Sequence, residues 1–336
     1  MPRKLLLPLA LLTVTACGDP QQQALIDVKN YIQKNLDQLS TSVTALQTDA
    51  PAPDADGWNA VADLAAVEKM RADWHQARQA YEHVEGAIAV LFPEYDRSTD
   101  ERYDGFVSTD ADPNLFDDKG VTGIHAVERI LWSNSIPARV VEFEQGLPHY
   151  TPAAFPANAT QAQDFKQKLL GKLVNDVNSM KTQFSPLALD PAAAYRGVIG
   201  SMGEQVEKAR KAVNAEEESR YAQYTLADMR ANITAGIDTY AFFRSALLQK
   251  KGGPALDTQI NASFKRLQDQ YAQTPGDALP EAPSTFNLNH PSPEDLATPF
   301  GKLYQVLIEE ADPDRDGSLV NAMSKSADLL GIERLP

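Results

Sequence analysis

The chain has 336 residues and carries 31 Lys+Arg against 46 Asp+Glu, a formal net charge of −15 at pH 7. Nucleic acid rewards basic surfaces, so this balance argues against it as a partner. One cysteine, Cys17, excludes an intramolecular disulfide, and a folded domain must rest on its core alone.

Arg3 and Lys4 precede the apolar run Leu5 to Leu12, the pattern of a secretory signal too short to span a bilayer as a stable helix. Val14-Thr15-Ala16-Cys17 resembles a bacterial lipobox, in which cleavage leaves the cysteine to carry a lipid. The expectation is removal of residues 1–16, lipidation at Cys17, a polar tether over 17–23, and a periplasmic protein anchored to the inner or outer membrane. Cleavage removes two basic residues and no acid, so the mature chain is more acidic still.

From Ala24 to Gln47, apolar residues recur at spacings of mostly three or four, which predicts an amphipathic helix. A Pro/Asp-rich stretch, 48–57, ends it. A longer helix is predicted from Trp58 or Val61 to Leu91, stopped by Pro93. On one face of a continuous helix here, Glu82 and Glu85 would lie together, with Arg78 one turn before Glu82. Residues 93–120 read as a polar, Asp-rich loop, and loops of that length in compact domains are functional or disordered.

Thr122 to Trp132 returns to helical periodicity. His125 and Glu128, three apart, share one face, while Ile124, Val127, Ile130 and Leu131 can brace the helix. An imidazole and a carboxylate so placed make half of a metal site, a counterpart of the Glu-x-x-His pairs of carboxylate helix bundles. Alone, the pair reads first as a solvent-exposed or merely ion-paired couple, and as ligands only once partners are found elsewhere in the chain. Residues 137–156 form a Pro/aromatic connector, whose His149 is set aside as incidental. Helices follow at about 160–183, 192–214, 226–249 and 257–273; then comes a Pro-rich excursion over 274–292 and helices at 293–311 and 319–330. Asp312 to Ser318 opens like a calcium-binding EF-hand loop, but Met323 stands where the bidentate acid belongs, which favours a turn capping the last helix.

Read together, Trp74, Arg78, Tyr81-Glu82-x-x-Glu85, Ser98-Thr-Asp100-x-Arg102-x-Asp104-x-Phe106 and Gly123-x-His125-x-x-Glu128-x-x-Leu131-Trp132 resemble, in order and spacing, the imelysin-like proteins. Within that family the pattern is similar to the EfeO/EfeM type of periplasmic iron-uptake protein. A fourth block, Glu217-Glu218-Ser-Arg220-Tyr221 with Thr225 to Gly236, supports it. The resemblance implies an all-α fold of two antiparallel four-helix bundles, divided as 24–150 and 151–336. It implies a metal site drawing on Glu82, Glu85, Asp100, His125, Glu128 and Glu218. One departure stands out: where relatives read D-R-Y-S-H-T-D, this chain has Ser219-Arg-Tyr-Ala-Gln-Tyr-Thr225, without that His and acid.

One imidazole among several carboxylates suits iron, as Fe3+ or Fe2+, with Zn2+, Cu2+ or Mn2+ as alternatives that ligand type alone does not separate. The expected function is capture of iron for an inner-membrane iron permease, with a periplasmic oxidase as a further partner. The alternative is a metallopeptidase of the imelysin type. Against it, zincins place two histidines and a glutamate base in H-E-x-x-H, and this chain has no second matched His.

Overall fold

The computed structural model describes residues 19–59 and 61–333. Cys17 and the lipobox lie outside the described residues. Among the described residues fifteen α-helices run in order: α1 (Pro20–Asp49), α2 (Leu64–Glu82), α3 (Glu85–Leu91), α4 (Pro93–Asp100), α5 (Tyr103–Val107), α6 (Ile124–Leu131), α7 (Ala138–Gln145), α8 (Ala159–Asp164), α9 (Leu170–Phe184), α10 (Pro191–Ala212), α11 (Thr225–Leu248), α12 (Gly253–Gln273), α13 (Pro293–Leu296), α14 (Pro299–Ala311) and α15 (Leu319–Leu330). A π-helical turn, Phe165–Leu169, joins α8 to α9. No strand occurs among the described residues, and the protein is all-α.

The apolar spacing of α1 becomes a buried stripe of Val28, Ile32, Leu36, Leu39, Val43 and Leu46. This face packs on α2, α9 and α11, and α11 also touches α2. A second group of helices, α10, α12, α14 and α15, packs together, with α11 against α10, α12 and α15. Packing therefore crosses residue 150: α9 lies along α1, and one contiguous core joins both groups.

Four local expectations are revised. Helix α1 begins inside the supposed tether, because Pro20 fits the first helical position and the Asp19 side chain caps the amide of Gln21 at 3.0 Å. The long helix predicted to reach Leu91 begins at Leu64 and breaks after Glu82, whose carbonyl accepts from Asn232 Nδ2 at 3.0 Å. Residues 93–107 hold α4 and α5, Pro93 opening α4 as well as closing α3. The helix predicted over 293–311 divides at Thr298, which caps α14 ahead of Pro299. The turn after Asp312 does end on a cap: Ser318 accepts from Asn321 at 3.2 Å, and Met323 is buried in the core.

Two glycines set the approach of the short helices. A Cβ on Gly197 in α10 would lie 2.2 Å from the Gly86 carbonyl oxygen, so α3 and α10 cross in backbone contact. Gly123, at φ +91°, has no room for a Cβ beside the Thr99 and Ser98 carbonyls, at 2.6 and 2.9 Å. That contact brings the start of α6 to the end of α4, and so His125 to Asp100.

Candidate metal centre

Helix α6 is eight residues long, and every one of them is buried. Its ends are tied to α2: Trp74 Nε1 donates to the Ile124 carbonyl at 2.9 Å, and Arg71 donates to the Leu131 carbonyl from Nε and Nη2 at 3.0 and 2.6 Å. A cation on the last carbonyls also favours that end of the helix dipole. On this fixed rod His125 Nδ1 lies 2.7 Å from Glu128 Oε2. The other oxygen of Glu128 accepts the amides of Tyr221 and Ala222 at 2.9 and 2.8 Å. A carboxylate only accepts, so Nδ1 carries the imidazole proton and Nε2 presents its lone pair. Nε2 is buried without a hydrogen-bond partner and stands 3.4 Å from Asp100 Oδ1.

Around that lone pair the structure gathers acids from four elements, α2, α3, α4 and the connector between α10 and α11. Asp100, His125 and Glu218 each offer a ligand atom, all within 4.8 Å of one another; Glu82, Glu85 and Glu218 form a second such group. Glu218 belongs to both. Glu128 does not face either group; it stands behind the imidazole, where it fixes ring orientation and tautomer.

Two buried cations run through the cluster. Arg78 pairs with Glu82 and Asp100, with Glu218 at 2.8 Å and with Asp228 at 3.3 Å. Lys208, from α10, reaches Glu218 at 2.7 Å, Glu82 at 3.0 Å and Glu85 at 3.4 Å. Desolvation decides how the acids hold their protons. Burial pushes Glu82, Asp100 and Asp228 above the usual carboxylate range against the pull of Arg78. In Glu218 burial acts the same way but loses: the Lys208 ammonium and the Arg78 guanidinium hold it well below that range. Glu218 is thus the firmest anion of the set.

A cavity of about 360 Å3 opens onto this cluster, with Glu85, Asp100 and Glu218 at its inner wall and Asp96, Glu101 and Glu204 around it. Gly86, Gly197 and Gly200 line one side, so the close crossing of α3 and α10 also shapes the opening. Burial raises Asp96 to about 6, partly countered by the hydroxyl of Tyr81, which donates to it. Six acids outnumber the two arginines of the lining, Arg97 and Arg102, a balance that suits the opening to a cation.

A family model, Imelysin (Peptidase_M75), matches residues 24–297. The chain belongs to the imelysin family. It is 26% identical over 250 residues to the "Iron uptake system component EfeO" of Escherichia coli O1:K1 / APEC, and equally so to those of Escherichia coli strain K12 and Shigella flexneri. Each match covers 74% of this chain and 53% of the relative, so the chain spans about half the length of the curated relatives it matches.

In this imelysin-family chain the E-E-x-R-Y block is a connector between α10 and α11, and its side chains explain its composition. Arg139 pairs with Glu217 at one end. Ser219 donates to Asp228, and Arg220 donates to Asp104 at 2.6 Å. The Tyr221 hydroxyl donates to Glu144, which also takes Arg129 Nη2 at 2.9 Å. Those anchors aim Glu218 inward and present the Tyr221 and Ala222 amides to Glu128. Three residues of the cluster were not among the candidates read from sequence: Lys208, Asp228 and Asn232. Asp228 and Asn232 stand in the fourth block, three and seven residues after Thr225, and on a helix that spacing shares the face of Thr225. Lys208, one of several basic residues late in α10, carried no distinguishing signal. His149 and His290 are exposed.

Proposed function

We propose that this chain is a metal-binding component of an iron-uptake system, taking iron as cargo between Asp100, His125 and Glu218. The observation that carries the reading is the buried lone pair of His125 Nε2, which has no hydrogen-bond partner, is oriented through Nδ1 by Glu128, and faces two carboxylates. A buried polar atom left unpaired costs free energy unless a ligand engages it. Carboxylates and imidazole suit Fe3+ or Fe2+, and Zn2+, Cu2+ and Mn2+ share the donor preference. The remaining acids, Glu82 and Glu85, are held by Arg78 and Lys208 and supply negative potential around the ion. The relatives' name supports iron as the cargo.

On this reading the mature protein starts at a lipidated Cys17, sits in the periplasm on the inner or outer membrane, and passes the ion to an inner-membrane iron permease, with a periplasmic oxidase as a second partner. Among the described residues no helix is long and apolar enough to cross a membrane, so attachment would fall to the lipid.

Titration of the purified chain with Fe2+ under argon and with chelated Fe3+ tests the proposal. One tightly bound ion is expected, lost in His125→Ala with little change in the circular dichroism spectrum. Equal iron binding by His125→Ala would overturn it. In the same preparations, metal-dependent cleavage of denatured casein that disappears in His125→Ala would assign the site to a peptidase instead.

A further inference from the structure

We propose that Lys208 is a built-in second cation, whose ammonium fills a carboxylate cage joined to the His125 compartment and so limits the centre to one metal ion. The proposal rests on the metal reading of Asp100, His125 and Glu218.

The two groups of ligand atoms share Glu218, and each could hold a cation. In carboxylate helix bundles that hold two metals, side chains from facing helices surround both ions, and paired ions sit about 3.5–4 Å apart. The present cluster has that outline, with acids from α2, α3, α4 and the α10–α11 connector and a glutamate common to both halves. The halves differ in their content. Beside His125 lies a lone pair without a partner. In the other half the Lys208 ammonium has four oxygens around it: Glu218 at 2.7 Å, Glu82 at 3.0 Å, Asn232 Oδ1 at 3.2 Å and Glu85 at 3.4 Å.

Lysine is 3% exposed there, and an ammonium has only three protons to donate, so its hydrogen-bonding capacity is spent on the cage. The cage is itself held in place: Asn232 donates to Glu85 at 2.9 Å and to the Glu82 carbonyl at 3.0 Å, and accepts from Gln205 at 2.8 Å. Those bonds fix the break between α2 and α3 that turns both glutamates toward the ammonium. A metal ion would demand the same oxygens, at the shorter distances of about 2.0–2.2 Å. Lys208 and a second ion therefore compete for one position. Because Glu218 is common to both compartments, an ion beside His125 draws on a carboxylate that Lys208 and Arg78 already hold, which moderates its grip on the cargo.

Removing the ammonium while keeping the side-chain length should open the second position. The full chain, Lys208→Met and Lys208→Gln are loaded with Mn2+ at rising ratios, the bound ion is counted by mass spectrometry of the dialysed protein, and the spin coupling is read by electron paramagnetic resonance. The unmodified chain should bind one Mn2+ with an uncoupled spectrum at every ratio. Each lysine variant should bind two, with an exchange-coupled spectrum, and Lys208→Met combined with His125→Ala should retain one. A coupled pair in the unmodified chain would overturn the inference whether or not the variants fold, and so would folded lysine variants that still hold a single ion. No ion in the unmodified chain together with one in Lys208→Met would sink the iron reading while keeping Lys208 as the occupant of the cage.

Discussion

The helices around His125 and the helices from α12 to α15 bury charge in opposite ways. Near His125 both members of each ion pair are inside: the side chains of Arg78 and Lys208 are 0% and 3% exposed, and their acids scarcely more. In the far group a buried acid leans on a cation at the surface. Asp257 takes Arg244 at 2.7 Å and Tyr240 at 2.6 Å, with the arginine side chain half exposed, and Glu310 takes Arg266 in the same fashion. The helices follow suit. The short helices α3, α4 and α6 bring Glu85, Asp100, His125 and Glu128 to the site between the longer α2, α10 and α11, whereas α12 runs unbroken for 21 residues. Charge buried without water needs partners from several directions, and short helix ends supply directions that one long rod does not.

The widest gap between the regions should appear on deleting one arginine from each. Arg78→Met leaves Glu82, Asp100, Glu218 and Asp228 to share a low-dielectric space with Lys208 alone. Breaking a buried pair in this way costs about 3–5 kcal/mol. Arg244→Met removes a half-exposed partner that solvent already screens, and should cost far less. Urea unfolding of the two variants measures both, and equal losses would erase the contrast.

A smaller effect separates two glycines one turn apart on α10. Gly197→Ala drives a Cβ into the α3 backbone, and forcing extra volume into a close contact costs about 1–3 kcal/mol. Gly200 has nothing within 4 Å of the same position, so Gly200→Ala should stabilise by up to about 1 kcal/mol through helix propensity. Thermal unfolding should move down for the first and up for the second. Gly86, Gly197 and Gly200 all line the cavity, but only a Cβ at Gly197 meets the Gly86 backbone and would shift the crossing that shapes the opening, so the first variant should alter ion uptake more than the second.

Glu128 sharpens the same comparison at the level of binding. Glu128→Gln keeps the shape but disturbs the acceptor that holds Nδ1–H, and loss of such an outer partner lowers metal affinity about 10–100-fold. Affinity should also fall with pH, and the fall should begin above the ordinary carboxylate range. Burial raises the folded pKa of Asp100, so protons compete there at higher pH than at an exposed aspartate. Isothermal titration with Zn2+ at several pH values tests the sign.

The same contrast explains what could be read in advance. Helix α15 spans the predicted 319–330, and α11 and α12 depart little from expectation, because their apolar residues recur without interruption and each is stopped by a local breaker. The break after Glu82 has no local cause in the sequence. It is made by Asn232, 150 residues on, which takes the carbonyl an unbroken helix would have used. His125 with Glu128 was legible from a three-residue spacing, and Glu218 from its motif. Which of the acids face the imidazole and which face Lys208 was not, since that division depends on where α10 crosses α3, and Gly86 and Gly197 decide it by what they lack.

The smallest of these effects lies at the far end of the chain. Ser318 caps α15 by accepting from Asn321 at 3.2 Å, and its hydroxyl donates to the Asp312 carbonyl at 2.6 Å, which closes the acidic turn on itself. Replacing such a cap by alanine costs about 1 kcal/mol, so Ser318→Ala should lower stability by that amount. If the turn serves as a cap and not as an ion site, calcium should leave the unfolding midpoint of both forms unchanged. Met323, at the loop position where a bidentate acid would close around calcium, is instead packed at 0% exposure in the core. A midpoint that rises with calcium in the parent chain and not in Asp316→Ala would show that the exposed aspartates suffice without that acid, and that the far helices carry an ion of their own.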